Sequence, residues 1–243
     1  MAGPVSPVPK TGPVICFGEM LLRLSPRPGK PLASANCLEV AAGGAEANVA
    51  VALASLGCPA RMVTVLPDNP LARRAIGQLR TAGVDCSFVE QGEGRIGLYF
   101  FEPPSGPVGG RVTYDRAGSA FSLCSPEAFD FAAVLTGASL LHLSGITPAL
   151  GPAGVELARG AIAAATKADV PICFDGNYRS NLWDAWDSDP RAVLTELVAS
   201  AHILIGNHRD ISLLLGKTFS GDGPDRRREA AEAAFAALPK LEV

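Results

Sequence analysis

The sequence predicts an α/β fold with a mainly parallel sheet and a small β flap, or lid, beside the main layer. Strand-like and helix-like segments alternate through most of the chain, which is typical of βαβ units. A run of extended segments interrupts this alternation and predicts the lid. The 243 residues are enough for one large domain, or for a domain with a small accessory unit.

Apolar periodicity and turn residues predict the elements in order. Before the main lid hairpin we expect a strand at 14–17, a helix at 46–56, a strand at 60–66, a helix at 70–81 and an extended segment at 87–89. The lid strands fall within about 19–40 and 95–116, with a hairpin of 96–102 and 111–114 around a loose tip rich in proline and glycine. The remaining predicted elements are a strand at 139–143, a helix at 152–167, a strand at 170–174, a helix at 191–200, a strand at 202–205, a helix at 210–215 and a last helix at 226–238.

Composition excludes some classes of function. The formal net charge is −3 and there is no basic tract, which argues against nucleic acid as a main partner. No apolar run is long enough to span a membrane, and residues 1–12 are expected to be a flexible tail without a signal peptide. The six cysteines lack metal-site spacing, so we interpret them as reduced, mostly buried residues of a cytoplasmic protein.

Polar or glycine residues follow four of the predicted strands. Ligands of open parallel sheets bind beyond the carboxyl ends of the strands, so these residues predict a ligand-binding edge. The four segments are 18–19, 144–147, 175–179 and 206–207.

The most informative segment is the glycine-rich run at 42–50. Gly43 and Gly44 let the backbone approach a bound molecule, and the helix that follows directs unpaired N–H groups toward it. Asn48, one turn into the helix, is placed to bind a hydroxyl group. The alternative is an ordinary glycine turn before a core helix.

Three further clusters each have a functional and a structural interpretation. Tyr99, Tyr114 and Arg116 on the hairpin either close over a hydroxylated anion or pack across the strands. Arg179 either offers a planar fork to a carboxylate or phosphate or belongs to an exposed turn. Asn207 and Asp210 either hold a hydrated Mg²⁺ or cap a helix, and taken alone the capping interpretation is favoured. The Gly-x-x-x-x-Gly-Lys-Ser/Thr motif is absent from the sequence.

Taken together, the motifs resemble the ribokinase (PfkB) family of sugar kinases, and most closely its 2-dehydro-3-deoxygluconate kinases. The resemblance runs from about residue 13 to the end. It depends on the segments 43–50, 18–19, 97–99, 114–120, 142–147 and 175–179, which stand in the family's order. It implies a three-layer ribokinase-like α/β sandwich carrying a β lid, and ATP and Mg²⁺ as cofactors.

The resemblance also implies a role for individual positions. Gly44 with Asn48 would bind sugar hydroxyls, and Ile146 would line the pocket. Tyr99, Tyr114 and Arg116 would contact the sugar acid, and Arg179 would pair with its carboxylate. Asn207 and Asp210 match the family's Asn-x-x-Glu phosphate and magnesium motif, with Asp in place of Glu. Because a desolvated guanidinium needs an anion, two arginines at the pocket favour a sugar acid over a neutral sugar.

The family's second signature, Asp-x-x-Gly-Ala-Gly-Asp, is not found in these residues. The resemblance assigns to that segment the catalytic base, the anion hole and the adenine pocket, so we expect no catalytic residue here. We therefore expect a C-terminally truncated chain whose apolar end, 241–243, begins another strand, and which binds sugar acid weakly and transfers no phosphate.

The function expected of the full-length protein is ATP-dependent phosphorylation of 2-dehydro-3-deoxygluconate. The alternatives are another sugar kinase of the family, such as a fructokinase, and a non-catalytic protein that binds a sugar acid. Exposed lid strands usually need covering, so we expect a homodimer or higher homo-oligomer through the lid.

Overall fold

A computed structural model describes residues 11–104 and 109–243. Most of the predicted flexible tail and the centre of the predicted hairpin tip lie outside these residues. The strands of the described part are β1 (Val14–Phe17), β2 (Leu21–Ser25), β3 (Glu39–Gly43), β4 (Ala60–Leu66), β5 (Asp85–Gln91), β6 (Gly97–Glu102), β7 (Arg111–Asp115), β8 (Leu140–Ser144), β9 (Ile172–Asp175) and β10 (Ile203–Ile205).

The helices alternate with these strands, apart from the lid segments. They are α1 (Ala45–Ser55), α2 (Pro70–Thr81), α3 (Ala120–Leu123), α4 (Phe131–Leu135), α5 (Ile146–Ala149), α6 (Pro152–Lys167), α7 (Ser180–Trp183), α8 (Pro190–Val198), α9 (His208–Leu215) and α10 (Gly223–Ala237). Single 3₁₀ turns occur at Leu32–Ser34 and Pro126–Ala128. The predicted α/β fold is confirmed: six strands pair in parallel fashion, and the other four form a small mixed sheet.

The chain divides into two compact units. The first unit consists of the residues up to Phe17 together with Ser125–Val243, and the second unit is Gly18–Cys124. Each unit has its own set of paired strands, and the candidate site residues are distributed between them.

In the first unit the strands run in the order β10-β9-β8-β1, all parallel. β1 and β8 are almost wholly buried, as expected for parallel strands covered on both faces. Leu157 on α6 and Trp183 on α7 are among the fully buried side chains of this unit. Beyond β10, Glu242 N donates to His202 O (2.7 Å) and Leu204 N to Val243 O (2.9 Å), so the last residues lie against this strand but do not form a strand of their own.

In the second unit β4 and β5 form a parallel pair, and the lid strands form a separate sheet in the order β3-β2-β6-β7. β2 and β6 are parallel in this sheet, and the outer pairs are antiparallel. The two edges differ. Along β3, Gln78 Oε1 accepts the Ala42 N–H (2.6 Å) and Arg74 Nη2 donates to Val40 O (3.2 Å), whereas all five residues of β7 are exposed.

Local sequence explains where the long helices begin and end. Asn69 caps α2 by accepting a hydrogen bond from the Ala72 N–H (2.9 Å). Pro70, the first residue of the helix, has no backbone N–H that would need a partner. α9 ends at Gly216, which adopts a left-handed conformation with φ 60°.

Leu56, which directly follows α1, has a side chain that is 80 % exposed. The buried residues of the helix are Ala47, Ala50 and the first-turn Glu46. Small side chains on this face let α1 lie close to the strands beneath it.

The expectation for the cysteines needs correction. All six lie within the described residues and none forms a disulfide with another, but Cys37 and Cys58 are exposed and Cys124 is partly exposed, so the thiols are not mostly buried. Within the described ranges, no helix has both the length and the apolar character needed to cross a membrane.

Candidate functional site

The glycine-rich run forms the junction between β3 and α1 in the second unit. Gly43 ends the strand and Gly44 is the residue before the helix, with φ 132° and ψ 145°. A Cβ on Gly44 would lie 2.5 Å from Glu19 O, and one on Gly43 would lie 2.8 Å from the Tyr99 hydroxyl oxygen. Gly44 is therefore required by the backbone packing of this unit itself, whereas a Cβ on Gly43 would meet only the end of the Tyr99 side chain.

Asn48 is exposed on the second turn of α1, and its backbone N–H donates to Gly44 O (2.9 Å). It lines a cavity of about 770 Å³ between α1 and α2. Neither Gly44 nor the two lid tyrosines line this cavity. Asn48 thus presents its amide to an open groove, with α2 on the opposite side.

Tyr99 and Tyr114 are directly opposite one another on β6 and β7. Their ring centroids are 6.0 Å apart. Burial raises the pKa of the half-buried Tyr99 phenol, while Tyr114 is 45 % exposed. The structure therefore brings together the two predicted phenols, one fixed against Gly43 and one open to solvent.

Arg116, by contrast, lies inside the second unit and is ion-paired with Glu19. Both side chains are more than nine-tenths buried. Arg116 Nε donates to Glu19 Oε2 (2.7 Å), and Nη2 donates to the same oxygen. The guanidinium carbon lies 5.6 Å from the centre of the Tyr114 ring. Sequence reasoning noted Glu19 only as a polar residue after a strand and missed this pairing, because the partners are 97 positions apart.

This pairing changes one argument from the sequence. We expected two arginines at the pocket to require a ligand anion, but the anion for Arg116 is Glu19. Arg179 is therefore the arginine that favours a sugar acid over a neutral sugar.

In the first unit the carboxyl ends of β8, β9 and β10 meet as predicted. Gly145 N donates to Asp175 O and Gly176 N donates to Ile205 O, each at 2.8 Å. A Cβ on Gly176 would lie 2.9 Å from the Asp210 carboxyl carbon, so only glycine fits between the strand end and α9. Ile146, the predicted pocket residue, is buried on α5 directly after β8.

Arg179 follows the β9 end and is exposed. Its Nη1 donates to Tyr178 O (2.9 Å), which leaves other guanidinium N–H groups open to solvent. Nearby, burial and the Asp210 charge raise the pKa of Asp175, opposed by the Arg179 charge and by the Asn177 backbone N–H. This edge therefore combines an exposed guanidinium with a carboxyl group whose pKa lies above its usual value.

Asn207 and Asp210 form the cap of α9. Asn207 Oδ1 accepts the Arg209 N–H, and Asp210 Oδ2 accepts the Asn207 N–H, both at 2.8 Å. Asp210 Oδ1 lies 3.4 Å from Tyr178 N, and the carboxylate is 5 % exposed. Asn207 and Asp210 therefore form a capping box, which is the helix-capping alternative given in the sequence analysis.

These contacts bear on whether the pair fits Mg²⁺. Each Asp210 oxygen retains a lone pair, but the described residues contain no group of three or more His, Cys, Asp or Glu side chains that could hold a metal ion. The residues fit a magnesium ion that is held mainly by water and phosphate oxygens, which is how Mg²⁺ is commonly bound.

A parallel α/β unit with polar side chains beyond its strands is the arrangement of a protein that binds small molecules at that edge. A model of the pfkB carbohydrate kinase family matches residues 13–242. The chain belongs to the pfkB family of carbohydrate kinases.

Several proteins of known name are similar to this chain. A 2-dehydro-3-deoxygalactonokinase of Haloferax volcanii is 38 % identical over 223 residues, which is 91 % of this chain and 68 % of that protein. A 5-dehydro-2-deoxygluconokinase of Shouchella clausii is 30 % identical over 95 % of this chain and 69 % of its own length. The crystal structure of a 2-dehydro-3-deoxygluconokinase of Thermotoga maritima superposes with a TM-score of 0.88 at 37 % identity, covering 94 % of this chain and 69 % of that one. The chain thus spans about two thirds of the length of these relatives.

Proposed function

We propose that the natural full-length protein is an ATP-dependent kinase of a 2-dehydro-3-deoxy sugar acid, with 2-dehydro-3-deoxygluconate as the substrate. Membership of a carbohydrate kinase family implies ATP as the phosphoryl donor. The observation that carries the choice of an acid is the exposed Arg179 guanidinium at the β9 end, which has one backbone acceptor and open N–H groups. Two of the similar proteins named above act on 2-dehydro-3-deoxy sugar acids by their names.

The proposed roles follow the positions of the side chains within each unit. In the first unit Arg179 would bind the substrate carboxylate, and the buried Ile146 would give the pocket an apolar wall. Asn207 and Asp210 would face phosphate and Mg²⁺ from the start of α9, where backbone N–H groups favour negative charge. In the second unit the Gly44 backbone would bind hydroxyl groups, with Tyr99 and Tyr114 contacting the sugar chain. Asn48 would bind a hydroxyl group that reaches the groove between α1 and α2.

The main contribution of these proposed contacts would be to position the substrate. Phosphoryl transfer depends chiefly on alignment and charge stabilisation, so residues that fix the acceptor hydroxyl contribute directly to the rate. Mg²⁺, when bound, would neutralise charge on the transferred phosphate. No catalytic base is assigned to residues 1–243.

The kinetic test is Arg179→Ala in the natural full-length protein. Because a hydrogen bond between charged groups is worth about 1.5–3 kcal/mol, we expect the KM for the acid to rise by about 10- to 150-fold. The KM for ATP should change by no more than about twofold, since the guanidinium would contact only the acid. Arg159→Ala is the matched control, because this exposed arginine pairs with Glu156 and Glu196 on the helical surface. Equal increases in both KM values would overturn the assignment of Arg179.

We further propose that the protein forms a homodimer or higher homo-oligomer through the open edge of β7. Val112 and Tyr114 are 44 % and 45 % exposed on this edge, and exposed edges of this kind favour pairing with another strand. Val112→Lys should shift the sedimentation coefficient to that of a monomer, whereas Leu71→Lys, at an apolar residue similarly exposed on α2, should not. A monomeric wild-type protein would contradict the proposal.

A further inference from the structure

The Asp210 carboxylate touches two parts of the first unit at once. Its Oδ2 accepts the Asn207 N–H (2.8 Å) at the start of α9. Its Oδ1 lies 3.4 Å from Tyr178 N, in the segment that follows β9. Asp210 is only 5 % exposed. One buried carboxylate therefore joins the start of α9 to the segment that carries Arg179.

Two glycines close the space around this carboxylate. A Cβ on Gly176 would lie 2.9 Å from the Asp210 carboxyl carbon and 3.1 Å from its Oδ1. A Cβ on Gly206 would lie 3.3 Å from Oδ2 and 3.4 Å from the Asp210 Cβ. The carboxylate thus fits between the ends of β9 and β10. A longer acidic side chain would have to displace this backbone, because an extra methylene group in a filled space forces its neighbours to move.

The segment 176–178, which Asp210 holds, includes an uncommon backbone conformation. Asn177 has φ 41°, in the left-handed region that favours glycine. A residue stays in such a conformation only where the surrounding contacts determine it. The three backbone N–H groups of this segment all have acceptors, which are in order a β10 carbonyl (2.8 Å), the Asp175 carboxylate and Asp210. Asp210 is therefore one of the contacts that keep this segment in place.

Arg179 depends on the same segment for its orientation. Its Nη1 donates to Tyr178 O (2.9 Å). The Tyr178 backbone is thus held at its N–H by Asp210 and at its C=O by the guanidinium. Arg179 itself is exposed at the ligand edge of the sheet. A contact that fixes the Tyr178 backbone therefore also fixes where the exposed guanidinium N–H groups stand.

We propose that Asp210 is a positioning residue for Arg179: it holds the 176–178 backbone against α9, so that the guanidinium meets a ligand carboxylate at a fixed place. This inference rests on the proposed function, because it takes Arg179 to bind the substrate carboxylate. It also gives a physical reason for Asp in place of the Glu of the family's Asn-x-x-Glu motif, since the space between the two glycines fits the shorter side chain.

A double-mutant cycle tests the inference by calorimetric titration of the natural full-length protein with 2-dehydro-3-deoxygluconate. Asp210→Glu keeps the negative charge, but its extra methylene group displaces the 176–178 backbone. We expect it to raise the Kd about 3- to 10-fold, the effect of one hydrogen bond. In the Arg179→Ala background the same change should raise the Kd by less than about twofold, because the group that Asp210 positions is gone.

Asp189→Glu is the matched control for this substitution. Asp189 caps α8 in the same unit by accepting the Ala192 N–H (3.0 Å), and it is exposed. The control should leave the Kd for the acid within about twofold, as is usual for surface substitutions. Equal increases by Asp210→Glu in both backgrounds would mean that Asp210 only stabilises the fold, and wild-type affinity in Asp210→Glu would also overturn the inference.

Asp210→Asn decides the question if Asp210→Glu does not fold. It keeps the size of the side chain but leaves one oxygen to accept two backbone N–H groups. We expect the Kd for the acid to rise by about 2- to 5-fold in the wild-type background and to stay nearly constant in the Arg179→Ala background. An unchanged Kd, or the same increase in both backgrounds, would overturn the inference.

Failure of the proposed function gives a different result. A wild-type protein that does not bind the acid, or an Arg179→Ala variant that binds it as tightly as the wild type, overturns the proposed function together with the inference. Normal binding by the wild type and the expected loss in Arg179→Ala, without coupling to Asp210, overturns the inference alone.

Discussion

Replacing Gly44 by alanine tests whether the glycine-rich run is shaped by the protein itself. At φ 132° and ψ 145° an L-residue is strained, at a cost of about 1–3 kcal/mol. The new Cβ would also lie 2.5 Å from Glu19 O and 3.4 Å from the Ala47 Cβ, and such overpacking costs about 1–3 kcal/mol more. We therefore expect Gly44→Ala to lower the free energy of unfolding by about 2–6 kcal/mol.

Gly118→Ala is the matched control for this change. Gly118 also has a positive φ, 69°, but a Cβ there would meet no atom within 4 Å. Only backbone strain remains, so the control should cost about 1–2 kcal/mol.

Urea unfolding followed by far-UV circular dichroism measures the difference between the two variants. Tryptophan fluorescence is unsuitable, because Trp183 and Trp186 lie in the first unit. Hydrogen exchange of the α1 amides adds a local measurement, since the first helical bond runs from Asn48 N to Gly44 O. Equal destabilisation by the two substitutions would refute the close-approach argument and leave only the strain of a positive φ.

Three other changes have defined outcomes. Burial lowers the pKa of His142 from 6.5 to about 4, so between these pH values the unfolded chain binds a proton that the folded chain does not. The free energy of unfolding should therefore fall by about 3 kcal/mol as the pH falls through this interval. Urea titrations at several pH values should show this decrease in the wild type and not in His142→Leu. Asp210→Asn leaves one side-chain oxygen to accept the two backbone N–H groups that Asp210 accepts with two. The first turn of α9 should therefore become less stable by about 1–2 kcal/mol, measured by hydrogen exchange of its amides. Unchanged protection of these amides would contradict the capping role. Gly77→Ala adds a methyl group in open space inside α2 and should raise the free energy of unfolding by about 0.5–1 kcal/mol, and a decrease in thermal stability would contradict this.

Elements with strong local signals could be predicted from the sequence. β4, α2 and α6 were predicted with the bounds that the structure has. For the two helices this follows from their start signals: α2 has an Asn cap and Pro70, and α6 has Pro152. The polar edge of the parallel strands was predictable for a similar reason, since a glycine or polar residue directly follows each buried run.

The short helices could not be predicted from the apolar periodicity of the sequence. α3, α4, α5 and α7 contain four or five residues each, little more than one turn, so no apolar period can develop. Their positions are set by tertiary packing, as shown by the fully buried Trp183 on α7.

The partner of Arg116 could not be predicted for a different reason. A periodic pattern reports which face of an element is buried, but it does not report which charges meet across the fold. Glu19 and Arg116 come together only after β2, β6 and β7 align. The sequence therefore indicated an arginine at the lid, and the structure shows that its charge is already balanced.

The proposed function requires that the family's kinase activity be directed here at a sugar acid. This requirement can be tested by ADP release from the natural full-length protein, measured with 2-dehydro-3-deoxygluconate and with fructose as acceptors. We predict turnover with the acid and a kcat/KM at least about tenfold lower with fructose, which offers no carboxylate to Arg179. Turnover with fructose but not with the acid would contradict the claim, and so would calorimetric binding of the acid without any ADP release.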